Sequence, residues 1–161
     1  MKLVVQRVLR GEVRLPLEGG RVVGRVGSGM VVLLCVLVGD TEREAVALAD
    51  KLAGYRFFED AEGRSSLSAP DVGAGALVIS QFTLAADGRK GRRPSFDTAA
   101  DRSLAERLYL RFAEALAAHG IPVELGSFGK RMEVELVGDG PATFLLEEPG
   151  APSAKSTQVL T

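Results

Sequence analysis

Met30-Val31-Val32-Leu33-Leu34-Cys35-Val36-Leu37-Val38 is the longest apolar run in the chain, and Gly39-Asp40-Thr41-Glu42-Arg43-Glu44 closes it. A membrane helix needs about twenty such residues, so the run is too short to span a bilayer. Because it is continuous rather than alternating, it reads as a central strand covered on both faces. Thr41 and Glu44 then stand at the spacing of a capping box. Ala45, Leu48, Ala49 and Leu52 follow on one helical stripe, and Gly54 suits the left-handed position after the helix. A buried strand that feeds an amphipathic helix predicts an α/β layer.

Towards the N-terminus, Leu3 to Val8 is short and β-branched, and Glu12 to Leu15 alternates. Pro16-Leu17-Glu18-Gly19-Gly20 reads as a turn and Arg21 to Val26 as a returning strand. Towards the C-terminus, Tyr55 to Phe58 is extended, and Ala76 to Leu84 reads as one strand followed by a polar loop, Ala85 to Thr98. Ser103 with Glu106 offers a second capping box. Leu104, Leu108, Phe112, Ala115 and Leu116 form the apolar face of a helix that stops near Gly120 and Pro122. Three extended segments follow: Val123 to Ser127, Met132 to Val137 and Ala142 to Glu147. Between the last two, Gly138-Asp139-Gly140-Pro141 predicts a hairpin turn. On spacing alone the bond before Pro141 is trans, since only about 5–6% of X–Pro bonds in folded proteins are cis. Glu148 to Thr161 is rich in Pro, Ser, Ala and Gly and reads as a disordered tail. The whole is one mixed α/β domain over 1–147.

Composition narrows the chemistry. The 161 residues carry a formal net charge of −1, so only a local basic patch can bind a polyanion. Cys35 is the only cysteine and His119 the only histidine. No intrachain disulfide is possible, and a zinc site would lack ligands, so neither metal nor cofactor is expected. Cys35 lies in the apolar run and reads as a core residue, and His119 reads as a structural cation at a helix C-terminus. Any Ser-His or Cys-His device would have only His119 to use, and no Gly-x-Ser-x-Gly elbow is present. Met1-Lys2-Leu3-Val4-Val5-Gln6-Arg7 turns polar too early for a secretory leader. A cytoplasmic protein without membrane attachment is expected.

Two segments can carry chemistry. Ser80-Gln81-Phe82-Thr83 brings hydroxyls and an amide to the end of an apolar strand, where they line a site or simply bond local backbone. Arg89-Lys90-Gly91-Arg92-Arg93 is the one dense basic cluster. It is either a solvated loop or a contact for phosphates.

Taken in order, Val4-Val5-Gln6-Arg7-Val8, Ser80-Gln81-Phe82-Thr83-Leu84, Arg89-Lys90-Gly91-Arg92-Arg93-Pro94-Ser95-Phe96 and Asp139-Gly140-Pro141-Ala142-Thr143 resemble the D-aminoacyl-tRNA deacylases, the chiral-proofreading family, from Met1 to about Glu147. The resemblance implies an α/β domain with two β-sheets and flanking helices, assembled as a homodimer with its site at the interface. It implies hydrolysis of the ester of D-aminoacyl-tRNA, with glycyl-tRNA also admitted because glycine has no side chain to reject. Ser80, Gln81, Phe82 and Thr83 match the family's catalytic signature, in which backbone N–H groups near the Gln and Phe hold the carbonyl oxygen. Gly140 and Pro141 match its Gly-cisPro dipeptide, which enters the partner's pocket and reads handedness. This expectation replaces the trans one. Arg89, Lys90, Arg92 and Arg93 are then expected to meet tRNA. The family usually has Asn where this chain has Gly138, and Val where it has Ala142. Two other readings stay open: a non-catalytic nucleic-acid-binding protein of the same fold, and a small-molecule esterase using Ser80.

Overall fold

The computed structural model describes residues 1–89 and 91–148. Its frame is a six-stranded sheet built around one long strand, β1 (Lys2–Leu15). The first half of β1 pairs antiparallel with β3 (Gly29–Cys35), its second half with β2 (Arg21–Val26), and its other edge with β8 (Glu133–Glu147). Beyond β3 the sheet continues in parallel through β6 (Gly75–Ser80) to β7 (Val123–Leu125). A two-stranded ribbon, β4 (Phe58–Glu59) with β5 (Ser65–Leu67), forms the second sheet.

Parallel neighbours need crossover connections, and the helices supply them. α1 (Glu42–Ala53) and the short α2 (Ala69–Val72) lie between β3 and β6, and α3 (Arg102–Ala117) lies between β6 and β7. The Met30–Cys35 run is buried throughout except for a half-covered Leu33. Alternation in β1 and β3 divides it: Met30, Val32 and Leu34 join Leu3 and Val5 beneath α1 and α3, while Val31 joins Val8, Val13, Leu77 and Ile79 on the opposite face. Phe112, Tyr109 and Leu108 of α3 meet Leu48 and Leu52 of α1 over that first face. The Tyr109 hydroxyl donates to the Val78 carbonyl at 2.8 Å, and burial pushes its pKa up.

Several local expectations are corrected. Leu3–Val8 and Glu12–Leu15 are one strand. The strand from Ala76 ends at Ser80, and Phe82–Ala85 is a 3₁₀ turn. At α1 the expected capping box is present: Thr41 Oγ1 accepts from the Arg43 N–H and Glu44 bonds back to the Thr41 N–H. Gly54 caps α1 in right-handed rather than left-handed geometry, with φ −87°. For α3 the cap is Asp101, not Ser103: its carboxylate accepts from the Ser103 and Leu104 N–H groups at 3.0 and 3.1 Å. A carboxylate two residues earlier reaches both orphan donors and outcompetes the hydroxyl.

The expected hairpin at 138–141 is absent. Met132–Val137 and Ala142–Glu147 belong to one strand, β8, and both halves pair with the same strand, β1. Gln6 pairs with Thr143 and Val8 with Gly138, so the intervening residues of β8 are pushed out as a large bulge. At the C-terminal boundary, Glu148 is held rather than loose: its N–H donates to the Met1 carbonyl and its carbonyl accepts from the Met1 ammonium. The rest of the expected tail, 149–161, lies outside the described residues.

Candidate functional site at the end of strand β6

Ser80 is the last residue of β6, opposite Leu34 in β3. The Gln81 N–H is consumed by the Leu34 carbonyl at 2.7 Å. The chain then tightens into the 3₁₀ turn, with Leu84 N–H bonded to the Gln81 carbonyl. The N–H groups of Phe82 and Thr83 precede the first bond of that turn and have no acceptor among the described residues. The free donors of the signature are therefore those of Phe82 and Thr83, not that of Gln81. The Gln81 side-chain amide reaches the Thr83 hydroxyl. Cys35 supports the turn from below, its thiol 3.6 Å from the Phe82 carbonyl, and burial raises its pKa away from reactivity.

A cleft of about 620 Å³ opens beside the turn, in the range of small-molecule sites. Ser80, Gln81 and Phe82 form one wall; Phe128 and Met132, from the β7–β8 connection, form another; Arg102, Lys130 and Arg131 also line it. The Phe82 side chain is 58% exposed, with the Phe96 ring edge-on at 5.2 Å. A smaller hollow of about 230 Å³ among Arg10, Glu12, Arg14 and Arg25 holds charges already paired with one another, Glu12 lying between Arg14 and Arg25.

Gly140 and Pro141 are not in the cleft of their own chain. They form the exposed crest of the β8 bulge, and the peptide bond between them is trans. This corrects the cis expectation and returns to the one from spacing. Gly140, at φ +108°, redirects the chain without a cis bond. Arg7 holds the crest. Its guanidinium donates to the Phe57 carbonyl at 2.8 Å and to Glu59 at 2.9 Å, and its Nε lies 3.3 Å from the Asp139 carbonyl and 3.1 Å from the Asp139 carboxylate. A Cβ on Gly140 would stand 2.7 Å from Arg7 Nη2, so the position needs glycine twice over. At Gly138 a Cβ would meet nothing within 4 Å, so the larger Asn usual in the family has space to enter.

Arg89, Arg92 and Arg93 of the basic cluster stand on a loop closed by paired backbone bonds between Asp87 and Ser95. Arg89 is drawn back onto Asp87, which raises its pKa, while Arg92 and Arg93 are exposed. Lys90 lies outside the described residues. None of the described cluster residues lines the cleft. His119 pairs with Asp50 at 2.7 Å, beyond the C-terminal end of α3, whereas Arg102 lies at the start of that helix. Ala105 is the last residue of α3 to line the cleft, so the twelve residues from Glu106 to Ala117, about 18 Å of helix, separate the one histidine from it.

A model of the family described as D-Tyr-tRNA(Tyr) deacylase matches residues 4–147. The chain belongs to that family. Similar relatives include the D-aminoacyl-tRNA deacylase of Dinoroseobacter shibae, 52% identical across 91% of this chain and 99% of the relative. The enzyme of the same name from Geobacter metallireducens is 51% identical across 94% and 98%. Among solved structures, a c-Myc DNA unwinding element binding protein superposes with a TM-score of 0.84 at 37% identity, covering 93% of this chain and all of that one. A probable eukaryotic D-amino acid tRNA deacylase gives 0.79 at 19% identity over 90% and 97%, a likeness of fold. The α/β domain expected from the sequence is therefore the fold found.

Arg7, Phe128, Met132, Arg102, Lys130 and Arg131 were not singled out for the site by sequence reasoning. Only Arg7 carries a readable signal. In β1 it alternates with Leu3 and Val5, which marks an arginine on the buried face.

Proposed function

We propose that the protein hydrolyses the ester between a D-amino acid and the 3′ end of tRNA. The observation that carries this reading is the pair of unbonded N–H groups at Phe82 and Thr83, beside a cleft walled by Phe82, Phe128 and Met132. The ester is already activated, so positioning and donors aimed at the developing oxyanion supply most of what the reaction needs. The aromatic walls suit the terminal base. The ribose 2′-hydroxyl beside the ester moves the proton, because among the described residues the Thr83 hydroxyl is bonded to the Gln81 amide and to no base.

Selection of the D-form acts at Cα, the one place where handedness is defined for every side chain. We assign it to Gly140 and Pro141 of a second copy, entering the cleft in a homodimer. The exposed crest lies outside its own cleft and is braced by Arg7, which fits such a use. Gly140 lets backbone approach the substrate closely. Glycyl-tRNA is then also a substrate, and Arg92 and Arg93 contact phosphates farther along the acceptor arm. Translation quality control of this kind places the protein in the cytoplasm. Among the described residues, no helix is long and apolar enough to cross a membrane.

The test is deacylation of matched D- and L-tyrosyl-tRNA: D-ester cleaved and L-ester spared supports the reading, and inertness towards the D-ester overturns it. The second reading is nucleic-acid binding without hydrolysis. It is favoured by the likeness to the protein named as a DNA unwinding element binder and by the basic loop tip. Binding without turnover in the same assay would select it.

A further inference from the structure

The cleft mouth carries cations that the reaction, as read above, does not use. Arg102 opens α3, and Arg131 follows directly on the Ser127–Lys130 turn closed by the Lys130 N–H to Ser127 carbonyl bond. Both line the cleft and both are exposed. Arg21 sits on Glu18, Arg64 on Asp60 and Arg111 on Glu42. The exposed Arg92, Arg93 and Arg107 share with the two cleft arginines the lack of a carboxylate among the described residues, and of these only the cleft pair lines the cavity. Arg102 and Arg131 have no hydrogen bond or ion pair with any described residue. Lys130, between them in the turn, is tied to Glu18. Gly129 adopts φ +70°, and the Arg102 guanidinium lies against it, where a Cβ would push the guanidinium aside. The turn therefore lies directly against that guanidinium, and Arg131, two residues on, shares the same rim.

We infer that Arg102 and Arg131 form a phosphate clamp that holds the backbone of the single-stranded RNA end where it enters the cleft. The inference rests on the reading of the cleft as the site of the ester. A terminal nucleoside seated between Phe82, Phe128 and Met132 must pass its 5′-phosphate out through the mouth. Two unpartnered guanidinium groups at that point match a phosphodiester in charge and in donor geometry. They are positioning residues: they fix where the terminal nucleotide lies and leave the reacting atoms to the Phe82–Thr83 turn. The Arg92–Arg93 tip is a separate contact, because it does not line the cleft.

The test compares two D-tyrosyl esters, one on full-length tRNA and one on adenosine, which has no phosphate. In the Arg102→Ala/Arg131→Ala double variant the preference for the tRNA ester over the adenosine ester should fall at least about fivefold. The slope of log KM against log salt should become shallower by about 0.7 per cation removed. Two contacts then make the wild-type KM rise about sevenfold more than the variant's between about 50 and about 200 mM salt. Arg131→Lys, which keeps the charge, should recover most of the salt slope. An equal loss on both esters would make the pair a structural part of the cleft and overturn the clamp. So would an unchanged preference and slope. Wild-type protein inert to both esters would overturn the reading of the cleft itself, and the clamp with it.

Discussion

Arg7→Ala tests the brace beneath the β8 bulge. The Arg7 side chain is only 7% exposed, and its loss leaves the Phe57 carbonyl without its donor inside the protein. An unsatisfied buried polar group costs about 1–3 kcal/mol. The carboxylates of Glu59 and Asp139 are 52% and 42% exposed, so water replaces much of what the arginine gave them. Their loss adds about 1 kcal/mol or less together. The expected destabilisation is about 1–4 kcal/mol, against a total of about 5–15 kcal/mol for a domain. The variant therefore folds, with Tm lowered by roughly 2–15 °C. Function should fall although the protein stays folded, because Asp139 and Gly140 lose their anchor. At 25 °C, with the fold verified by circular dichroism, kcat/KM for D-tyrosyl-tRNA should drop at least about tenfold, a loss of about 1.4 kcal/mol in transition-state stabilisation. Arg7→Lys keeps the charge but not the fork, so it should regain stability more than activity. An Arg7→Ala protein with unchanged Tm and unchanged D-activity would refute the argument that this guanidinium holds the crest.

Thr83→Ala should keep substantial deacylase activity, whereas a 2′-deoxy terminal adenosine on the tRNA should remove most of it; single-turnover rates with both substrates decide. Neutralising Arg92 and Arg93 together should raise KM and flatten its salt dependence with less effect on kcat, and an unchanged slope would make the tip a solvated face. The Thr41 hydroxyl, bonded to Glu44, holds that carboxyl below its ordinary value of 4.5. A depressed carboxyl stabilises the fold above the unfolded-state value and loses that contribution as pH falls through the folded one. Unfolding followed between pH 6 and pH 3 should show that loss in the parent chain, and Glu44→Gln should be less stable at pH 6 with a flatter acid limb.

The elements set by hydrophobic period were legible. The Met30 run, the α1 stripe and the α3 stripe each announce a buried face, and each is found there. What the chain does at the ends of those elements was not, because ends are decided by competition between neighbours. Asp101 takes the α3 cap that Ser103 also fits, and Leu34 takes the Gln81 N–H, which moves the free donors one residue on. The Asp139-Gly140 pair carries the local signal of a hairpin. A hairpin would bring the two halves of β8 onto each other. Here both halves bond to β1 instead, and fourteen residues of β1 offer a partner long enough for both.

Sequence pattern singled out the motif at the candidate site but not the walls of the cleft beside it. Ser80–Thr83 is local, so its residues arrive together. Phe128, Arg131 and Met132 reach the cleft because β7 lies parallel to β6, which carries the β7–β8 connection to the end of β6, and Arg102 reaches it from the start of the α3 crossover. Parallel pairing is a long-range event that no window of the chain reports. Arg7 is the instructive middle case. Its strand alternation is local and marks it as buried, while its partners come from two distant parts of the chain, Phe57 with Glu59 from one and Asp139 from the other. A charge on an inward-facing strand position must find acceptors to be tolerated. In this fold those acceptors belong partly to the Gly138–Pro141 bulge. The burial of one arginine and the shape of the bulge are thus a single solution, which is why a substitution in β1 should be felt at Gly140.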